Sequence, residues 1–406
     1  MVPRAIATQG ARAARGLEAT AIDQGPILVL YWWHDRSEMR RSVERHLHAV
    51  DHVADEVVYV NADRADPDPV RERSYAGVLL HTTFLWLRCK GKFDRYRRAW
   101  SWLRDLDCPK IALPQDEFNH SAALDEWLDE LGVDHVFSNF DEPAQRLLYP
   151  RTFGRARFSV ALTGYIDEDA AAYCRTRAHP LAERPLDVVY RTAPARFWLG
   201  RGSLLKTEIG SEVLSRAERH GLDVDISTKW EDTIYGDAWL DFLLSGRATL
   251  GAESGSSVLD RRGEVRARVE ELLDRDPSLT YDELDASMPP GWDAYAFFAI
   301  APRHLEAIVA RTPQILVEGS YSGVLEPGRH FISVRRDYSD LDDALERLRD
   351  VRYLEELATR AYDEVYLPGR WTLDAFGRQL REAFEDAPQP GLHRQLRAAV
   401  ARLHGR

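Results

Sequence analysis

The chain has 406 residues, of which 44% are hydrophobic and 30% are charged, and its formal net charge is −12. This length is enough for two domains with large cores, and the acidic balance argues against general nucleic-acid binding. Three scattered cysteines without metal-ligand spacing give no disulfide framework, and no stretch approaches the roughly 18 apolar residues of a membrane span. The composition therefore predicts a cytoplasmic globular protein.

Short apolar runs alternate with longer amphipathic segments in the first half of the chain. A flexible tail is predicted at 1–24, where Ala and Arg are frequent and no apolar stretch typical of a signal peptide is found. The pattern then predicts strands at 26–33, 56–60, 77–80, 110–113 and 135–137, and helices at 35–53, 93–106 and 122–131. Such alternation predicts a parallel sheet with helices on both faces.

The alternation lapses near residue 164 and resumes near residue 185. Strands are predicted at 186–190, 222–226 and 248–251, helices at 204–219 and 238–244, and a mostly helical insertion at 263–290. The predicted division is a first domain at 25–165, a linker at 166–185, a second domain at 186–370 and a C-terminal helix with a tail at 371–406. An amphipathic segment at 373–384 is predicted to cross back to the first domain. Two such domains place a ligand cleft between the carboxyl ends of their strands.

A helix that begins at Pro302 is the strongest local signal in the second half. Proline is favoured at the first helical position because its missing N–H would be unpaired there. The remaining N–H groups and the helix dipole favour an anion such as a diphosphate. Arg303 adds a bidentate phosphate donor, and Glu306 is placed to accept hydrogen bonds from a ribose. The alternative is that both side chains merely complement a helix surface.

The segment PRHLEAIVARTPQILVEGSYSGVLEPGRHFISV resembles the donor-binding segment of GT-B glycosyltransferases, above all the family-4-like and CgeB-type enzymes. The resemblance spans most of 185–370. It implies an α/β fold of two Rossmann-like domains, of which the first binds a glycan or small-molecule acceptor and the second binds a nucleoside-diphosphate sugar such as a UDP-sugar. The sugar donor would be a co-substrate, and no metal or other cofactor is required when cationic side chains neutralise the diphosphate.

Two glutamates separated by seven residues are typical of the retaining enzymes in that group. Glu318 and Glu326 have this spacing, but they follow the helix, and Glu306 occupies the position of the family's second glutamate. Phe298 stands where the first is expected. Retention is therefore favoured by the resemblance alone, and Glu318 is a secondary candidate for contact with the donor sugar.

The loop GAESGSS follows the predicted strand 248–251, where the family's donor-sugar loop begins. Glu253 is predicted to hold sugar hydroxyls, and Ser254 and Gly255 are predicted to offer hydrogen-bond donors to the ligand. The alternative is a tight strand-to-loop turn, since Gly and Ser are common in turns.

Further cations are predicted at the donor diphosphate. Arg201 and Lys206, in the run GRGSLLK, have the spacing of an arginine and a lysine that bind it in family-4 enzymes. Their charges would stabilise the leaving group. Arg191, which ends the strand 186–190, is a third candidate, and Tyr235 is predicted to shape the nucleotide-base pocket. A solvated helix surface is the alternative for the charged residues.

The first domain offers candidates for the acceptor side. His81 follows the strand 77–80, as does a histidine that touches the donor sugar in related enzymes, although a lone histidine is more often structural. Asp116 and Glu117 follow the strand 110–113 and are predicted to line the acceptor side, or to act as a base if the enzyme inverts. His34 is predicted to border the acceptor pocket. His120 and Asp116 have a spacing that permits metal binding, but no third ligand is found, so no metal site is predicted.

The sequence thus predicts a glycosyltransferase, and two alternatives stay open. A nucleotide-sugar epimerase of the same fold would turn over the donor without an acceptor. A non-catalytic carbohydrate-binding or spore-envelope protein would keep the fold, and the missing first glutamate favours this reading.

Overall fold

A computed structural model describes residues 25–34 and 41–387 of the chain. The predicted tails at 1–24 and 388–406, and the first part of the predicted helix at 35–53, lie outside the described residues. The strands, in chain order, are β1 (Ile27–Tyr31), β2 (Val57–Asn61), β3 (Gly77–Leu80), β4 (Lys110–Ala112), β5 (His135–Ser138), β6 (Arg157–Val160), β7 (Leu186–Arg191), β8 (Val224–Ser227), β9 (Gly246–Gly251), β10 (Ser254–Ser256), β11 (Phe297–Ala299), β12 (Gln314–Val317) and β13 (Ile332–Val334).

The α-helices lie between and after these strands, and several continue into short 3₁₀ turns. They are α1 (Arg41–Leu47), α2 (Pro67–Arg71), α3 (Thr82–Leu85), α4 (Phe93–Ala99), α5 (Ser121–Leu131), α6 (Glu142–Leu148), α7 (Glu168–Arg177), α8 (Arg201–His220), α9 (Asp237–Ser245), α10 (Glu264–Arg275), α11 (Tyr281–Asp285), α12 (Pro302–Val309), α13 (Leu341–Glu346), α14 (Val351–Ala361) and α15 (Leu373–Glu385). None of these helices is long and apolar enough to span a bilayer.

The first half forms a six-stranded parallel sheet in the order β2-β1-β3-β4-β5-β6. Its central strands are continuous apolar runs, as expected for strands that are covered on both faces. Ile27 to Leu30 of β1, for example, are fully buried. The five strands predicted from the sequence are confirmed. The sixth, β6, was not predicted because it is an edge strand with exposed ends and lacks such a run.

The second half forms a five-stranded parallel sheet in the order β13-β12-β9-β7-β8. The chain runs from β7 outward to β8 and then returns across β7 to β9. The strand order therefore reverses between β7 and β9, and open α/β sheets bind ligands in the crevice beyond such a reversal.

The predicted insertion is confirmed as mostly helical. It lies inside an antiparallel pair, β10 and β11, in which Ser254 is opposite Ala299. The helices α10 and α11 pack with neighbouring residues in a small core of their own. On its other side the insertion reaches the first half, because Leu259 and Phe297 belong to the hydrophobic core of that half.

Two further segments connect the halves. The predicted linker, 166–185, contains the ten-residue helix α7, whose Ala170, Ala171 and Cys174 are buried beside α12. Because the side chains on its buried face are small, the sequence of this helix shows little apolar periodicity. The C-terminal helix α15 crosses back to the first sheet as predicted, where Phe376 and Leu380 enter its core. The division at 25–165 and 186–370 stays a prediction.

Candidate functional site

A cavity of about 220 Å³ opens beyond the carboxyl end of β7, at the reversal of the second sheet. Its wall is formed by residues that follow β7, by the loop between β8 and α9, and by the first turns of α12. The first half adds Arg41, Ser42 and Arg45 of α1 and the segment at 165–167. The cavity therefore lies between the two halves, where the topology predicts a ligand site.

Basic side chains predominate in the wall of this cavity. Five cationic residues face two acidic ones in the described wall, although the whole chain carries a net charge of −12. The cations are Arg41, Arg45, Arg191, Lys229 and Arg303, and the acids are Asp167 and Glu306. A concave site with this charge balance attracts anions.

Glu306 is held in the wall by a tryptophan that the sequence analysis did not predict. The buried face of α12 (His304, Leu305 and Ile308) fixes the rotation of the helix, so that half-buried Glu306 points to the cavity. Its Oε2 accepts a hydrogen bond of 2.7 Å from the indole N–H of Trp239 in α9. The carboxylate is thereby oriented in the wall of the cavity. No sequence motif around Trp239 marks this contact.

Arg303 and Arg191 lie side by side. The guanidinium of Arg303 donates to the carbonyl of Arg191 at 2.7 Å. Arg191 in turn donates to the Asp225 carboxylate at 2.6 Å and lies 4.5 Å from the ring centroid of Phe242. Its buried Nε has no hydrogen-bond partner among the described residues. The start of α12 has no side-chain cap, which leaves its backbone donors directed toward the same space.

The loop after β9 contributes to the cavity only in part. Ser254 lines it, whereas Gly255 lies in the antiparallel pair, where any Cβ would overlap the carbonyl of Phe297. The Glu253 carboxylate accepts hydrogen bonds from the Ser320 hydroxyl at 3.0 Å and the Tyr321 N–H at 2.7 Å. Glu253 thus holds the turn after β12 and is not in the cavity wall.

Glu318 and Tyr235 are both exposed, but they lie in different places. The Glu318 side chain is 53% exposed and its nearest cation is Arg336, at 4.0 Å, outside the cavity wall. Tyr235 is 56% exposed and lines the cavity from the loop before α9. Of these two predicted residues, Tyr235 alone reaches the site.

Arg201 and Lys206 point in different directions from α8. Positions five apart on an α-helix differ by about 140° around its axis, so the two side chains leave the helix in different directions. Arg201 forms an ion pair with Asp282 and lies 4.6 Å from the ring centroid of Tyr281, both in the insertion. Lys206 is close enough to lower the pKa of both Asp116 in the first half and His304 in the second. Lys206 therefore lies near both groups, and it does not line the cavity.

Asp116 of the first half is exposed. It follows β4 with a left-handed backbone (φ 47°), and no described residue forms a hydrogen bond or an ion pair with its carboxylate. Burial in its surroundings raises its pKa, while the charges of Arg88 and Lys206 oppose that shift. An exposed side chain with a desolvated environment is expected where a carboxylate faces an enclosed cleft.

Glu117 points into the first half. It is fully buried, and its carboxylate accepts hydrogen bonds from the Ser138 hydroxyl at 2.7 Å, the Asn139 N–H at 2.6 Å and the Tyr149 hydroxyl. Burial raises its pKa to about 7. With both oxygens occupied, Glu117 does not reach the acceptor side in this structure.

The two predicted histidines also lie away from the cavity wall. His81 is fully buried, caps α3 through Thr83 and contacts the His46 ring nitrogen at 3.1 Å. Burial lowers its pKa well below 6.5. The His34 side chain is 86% exposed, with Asp63 at 3.5 Å. The surroundings of His81 are structural, which was the alternative to contact with a substrate.

The part of the chain that the structure describes holds no cluster of three or more His, Cys, Asp or Glu residues that could bind a metal ion.

No protein-family model matches the chain, and no curated protein does. Solved structures match over nearly the whole fold. Anabaena HepE in complex with UDP and glucose has 11% identity and a TM-score of 0.51, covering 89% of this chain and 99% of HepE. Anabaena HepE in complex with UDP has 11% identity, the same coverage and a TM-score of 0.50. Together with two parallel sheets that face one cleft, these matches decide the architecture. The chain has a GT-B fold.

This GT-B chain gathers part of the predicted site in one place. Glu306, Arg303, Arg191, Ser254 and Tyr235 share the cavity, and Lys206 lies close enough to Asp116 to lower its pKa. The remaining predicted residues lie elsewhere: Arg201, Glu253, Gly255, Glu318, Glu117, His81 and His34.

The sequence analysis missed several residues that line the cavity. Arg41 and Arg45 come from α1 of the first half, and Lys229 follows β8. Lysine is rare in this chain, with five in 406 residues, and this rarity was the available signal for Lys229. No local pattern could have indicated the two arginines, because they reach the cavity from the other half.

Proposed function

We propose that the protein is a glycosyltransferase that moves a sugar from a nucleoside-diphosphate sugar to an acceptor bound by the first half. The observation that carries the proposal is the cavity at the reversal of the second sheet, which combines cationic side chains with an oriented carboxylate. A nucleoside diphosphate presents both a polyanion and ribose hydroxyls. Cations and the first turn of a helix complement the polyanion. A carboxylate that accepts hydrogen bonds complements the ribose hydroxyls.

Each side chain of the cavity has a place in this proposal. Glu306, held by Trp239, accepts hydrogen bonds from the ribose, and Tyr235 packs against the base at the open edge. Arg303, Arg191 and the start of α12 bind the diphosphate. The unpartnered Nε of Arg191 is a donor that such a ligand would satisfy.

The diphosphate leaves with the electron pair of the anomeric C–O bond, so stabilising its growing charge is the main requirement of the step. We assign this role to Arg303 and Arg191, and to Lys206, which lies outside the cavity wall and near Asp116 of the first half. These groups would neutralise the leaving group without a bound metal ion. Glu253 and Glu318 would contact the donor sugar only after movement of the loops that hold them.

The likeness to HepE supports the choice of ligand to test first. The two HepE structures contain UDP, and one of them also contains glucose. At 11% identity this likeness concerns the fold, so the base and the sugar of the donor are part of our proposal.

Nucleotide titration by calorimetry is the direct test. UDP, GDP, dTDP and CDP are each titrated into the wild type, and we expect one of them to bind. Glu306→Ala should weaken that binding roughly 10–100-fold, since a charge-assisted hydrogen bond contributes about 1.5–3 kcal/mol. Glu318→Ala is the matched control, because that exposed glutamate lies outside the cavity and its loss should leave affinity unchanged.

The outcome separates the proposal from its alternatives. If none of the four nucleotides binds, the glycosyltransferase assignment fails and a carbohydrate-binding protein is favoured. If the donor sugar is epimerised in the absence of any acceptor, the protein is an epimerase instead.

A further inference from the structure

One short segment of the first half is strongly basic, although the chain as a whole is acidic. Residues 88–104 carry seven lysines and arginines and one acidic residue, Asp94, whereas the net charge of the chain is −12. Two of the five lysines of the chain, Lys90 and Lys92, belong to this segment. None of its residues is in the described wall of the donor cavity. A local excess of one charge attracts partners of the opposite charge.

The helix α4 in this segment packs by its aromatic side and exposes its basic side. Phe93 lies on Trp127 with ring centroids 5.0 Å apart, and the Tyr96 hydroxyl donates to the Asp63 carboxylate at 3.2 Å. These contacts fix the rotation of the helix. Its outer side then presents three exposed basic side chains with which no described residue forms an ion pair: Lys92, Arg95 and Arg98.

Lys90 extends these exposed charges to the carboxyl end of β1. Its ammonium lies 4.7 Å from the ring centroid of Trp32, which directly follows β1. The Trp32 N–H donates to the Thr83 hydroxyl at 3.2 Å, which holds the residue at this edge of the sheet. Open α/β sheets bind their ligands beyond the carboxyl ends of the strands. A basic surface, formed by Lys90, Lys92, Arg95 and Arg98, therefore begins at the ligand-binding edge of the first sheet.

The start of the segment is fixed where the two halves meet. The buried guanidinium of Arg88 donates to the carbonyl of Asp116 at 2.8 Å, in the turn after β4. Burial raises the pKa of the neighbouring Cys89 thiol, and the charges of Arg266 and Asp260 in the second half are close enough to shift it as well. The basic surface thus extends from the junction of the halves outward over the first half.

The charge and the shape of this surface indicate what it binds. A membrane-binding surface commonly adds apolar side chains that enter the bilayer. The exposed large apolar residues of the described chain lie outside this segment, at Val160, Leu214, Trp230, Tyr235, Tyr295 and Leu367. An anionic bilayer would also repel the rest of an acidic protein, whereas a narrow anionic chain would contact the basic surface alone.

We propose that the basic surface binds the acceptor, and that the acceptor is a chain with repeated phosphate or carboxylate groups. This inference rests on the proposed function. The anionic groups of the acceptor lie along α4, and the end of the chain that receives the sugar passes Lys90 and Trp32 toward the donor. The surface holds and orients the acceptor and takes no part in the transfer step.

Binding of two polyanions and one uncharged polymer tests the surface. Inorganic polyphosphate, oligogalacturonate and the methyl ester of the same oligogalacturonate are each titrated into the wild type by calorimetry at low salt. We expect at least one polyanion to bind, with an affinity that falls as salt is added, and the methyl ester not to bind. Failure of both polyanions to bind would overturn the inference.

The triple variant Lys92→Gln, Arg95→Gln, Arg98→Gln locates the binding. Its affinity for the polyanion should fall roughly 10-fold or more, as expected for the loss of three exposed charge pairs. Its affinity for the nucleotide should stay unchanged, because these residues lie outside the described cavity wall.

A second triple variant is the matched control. It removes three exposed arginines of the second half and changes the net charge by the same amount: Arg335→Gln, Arg336→Gln, Arg352→Gln. We expect its affinity for the polyanion to match the wild type. Equal losses in the two triple variants would show that net charge governs the binding and would refute the role of the basic surface.

Competition separates the basic surface from the cationic donor cavity. Saturation with the nucleotide that binds should leave the affinity for the polyanion unchanged. Displacement of the polyanion by the nucleotide would place the polyanion in the cavity and contradict the inference. Vesicles that contain phosphatidylglycerol test the other kind of partner: if they bind through the basic surface and the polyanions do not, the surface binds membranes instead.

Turnover tests the role as acceptor. The wild type is incubated with the donor whose nucleotide it binds and with either oligogalacturonate or its methyl ester, which has the same hydroxyl groups without the charges. We expect release of nucleotide to be faster with the charged form, and this preference to be lost in the triple variant of α4. Equal rates with both forms, or no acceleration by the charged form, would exclude an anionic acceptor. Failure of every nucleotide to bind would instead refute the proposed function, and polyanion binding would still be measurable.

Discussion

Among the contacts between the two halves, two differ in character. On the insertion side, Asp260 exchanges backbone hydrogen bonds with Phe118 and Ser121, and Phe297 packs on Phe118 and Phe140 with ring centroids 6.0 and 5.5 Å apart. On the cavity side, Arg41 and Arg45 of α1 form ion pairs with Asp167, Asp169 and Asp237, of which those with Asp167 are partly buried and the others more exposed.

This difference indicates which side can open. Burial of aromatic surface and of backbone hydrogen bonds makes the insertion side costly to separate. Exposed ion pairs contribute little to stability and weaken with salt. We therefore expect the insertion to hold the cleft in a fixed geometry and the ligand to enter on the cavity side, past α1.

Phe297→Ala should have the largest effect on stability. Truncation of a buried aromatic residue costs about 3–5 kcal/mol, and here the lost contacts are those between the halves. We expect the free energy of unfolding to fall by that amount in urea titrations, and the single transition to separate into two. Tyr295→Ala, which removes a partly exposed ring from the same segment, is the control. A single unshifted transition for Phe297→Ala would show that the insertion does not hold the halves together.

Acid should lower the free energy of unfolding through His46 in α1. Burial lowers the pKa of His46 to about 4, so the folded protein keeps this ring neutral. The stability that depends on the neutral ring is fully present above pH 6.5, and it is lost as the pH falls from 6.5 toward 4, because only the unfolded chain takes up a proton in that range. The contribution is about 3 kcal/mol for a shift of this size.

The His46→Gln variant isolates this effect. The difference in unfolding free energy between pH 7 and pH 4 should be smaller in the variant than in the wild type by about 3 kcal/mol. Identical pH dependence in the two proteins would contradict the assignment. His48→Gln, on the neighbouring exposed turn, serves as the control.

Arg303→Ala should weaken nucleotide binding roughly 10-fold with little loss of stability, because its guanidinium faces the cavity and makes one hydrogen bond to the backbone. Calorimetry at two salt concentrations measures the effect, and the variant should also show a weaker salt dependence. Arg335→Ala, an exposed arginine after β13, should match the wild type. Unchanged affinity in Arg303→Ala would remove this residue from the site.

Arg41→Ala should have a modest effect on stability, about 1 kcal/mol, because its ion pairs with Asp167 and Asp237 are only partly shielded from water. The expected consequence is kinetic: both association and dissociation of the nucleotide become faster in stopped-flow experiments because the cavity side opens more readily. Arg73→Ala removes a surface ion pair with Glu56 far from the cavity and should leave both rates unchanged. A slower exchange in Arg41→Ala would contradict the proposed entry route.

Much of the fold could be predicted from local patterns. Continuous apolar runs such as Gly77–Leu80 identify the buried strands, and the apolar spacing of α15 predicted its return to the first sheet. The helix α12 was predicted from Pro302 and its apolar face. The edge strand β6 and the helix α7 were missed, since an exposed edge and a face of small residues give weak periodic signals.

The site was less predictable, and the reason is geometric. Glu306 and Arg303 are on one helix face, so local spacing sufficed to bring them together. For Arg201 and Lys206 the spacing alone did not indicate that α8 turns the two side chains to different neighbours. Glu117 and His81 have suitable chemistry for catalysis, but their burial against Tyr149 and His46 is decided by segments distant in sequence.

The sequence by itself determined two alternating α/β halves, a helical insertion and an anion-binding helix start at Pro302, since these depend on the periodicity and chemistry of neighbouring residues. Only the tertiary structure decided which polar groups face the cavity and which form hydrogen bonds or ion pairs with other residues of the protein. These charged side chains bind groups that are distant in sequence: Glu306 binds Trp239, and Arg88 binds the turn that contains Asp116. Whether a carboxylate is bound or left exposed depends on what lies opposite it, and that is a property of the folded chain.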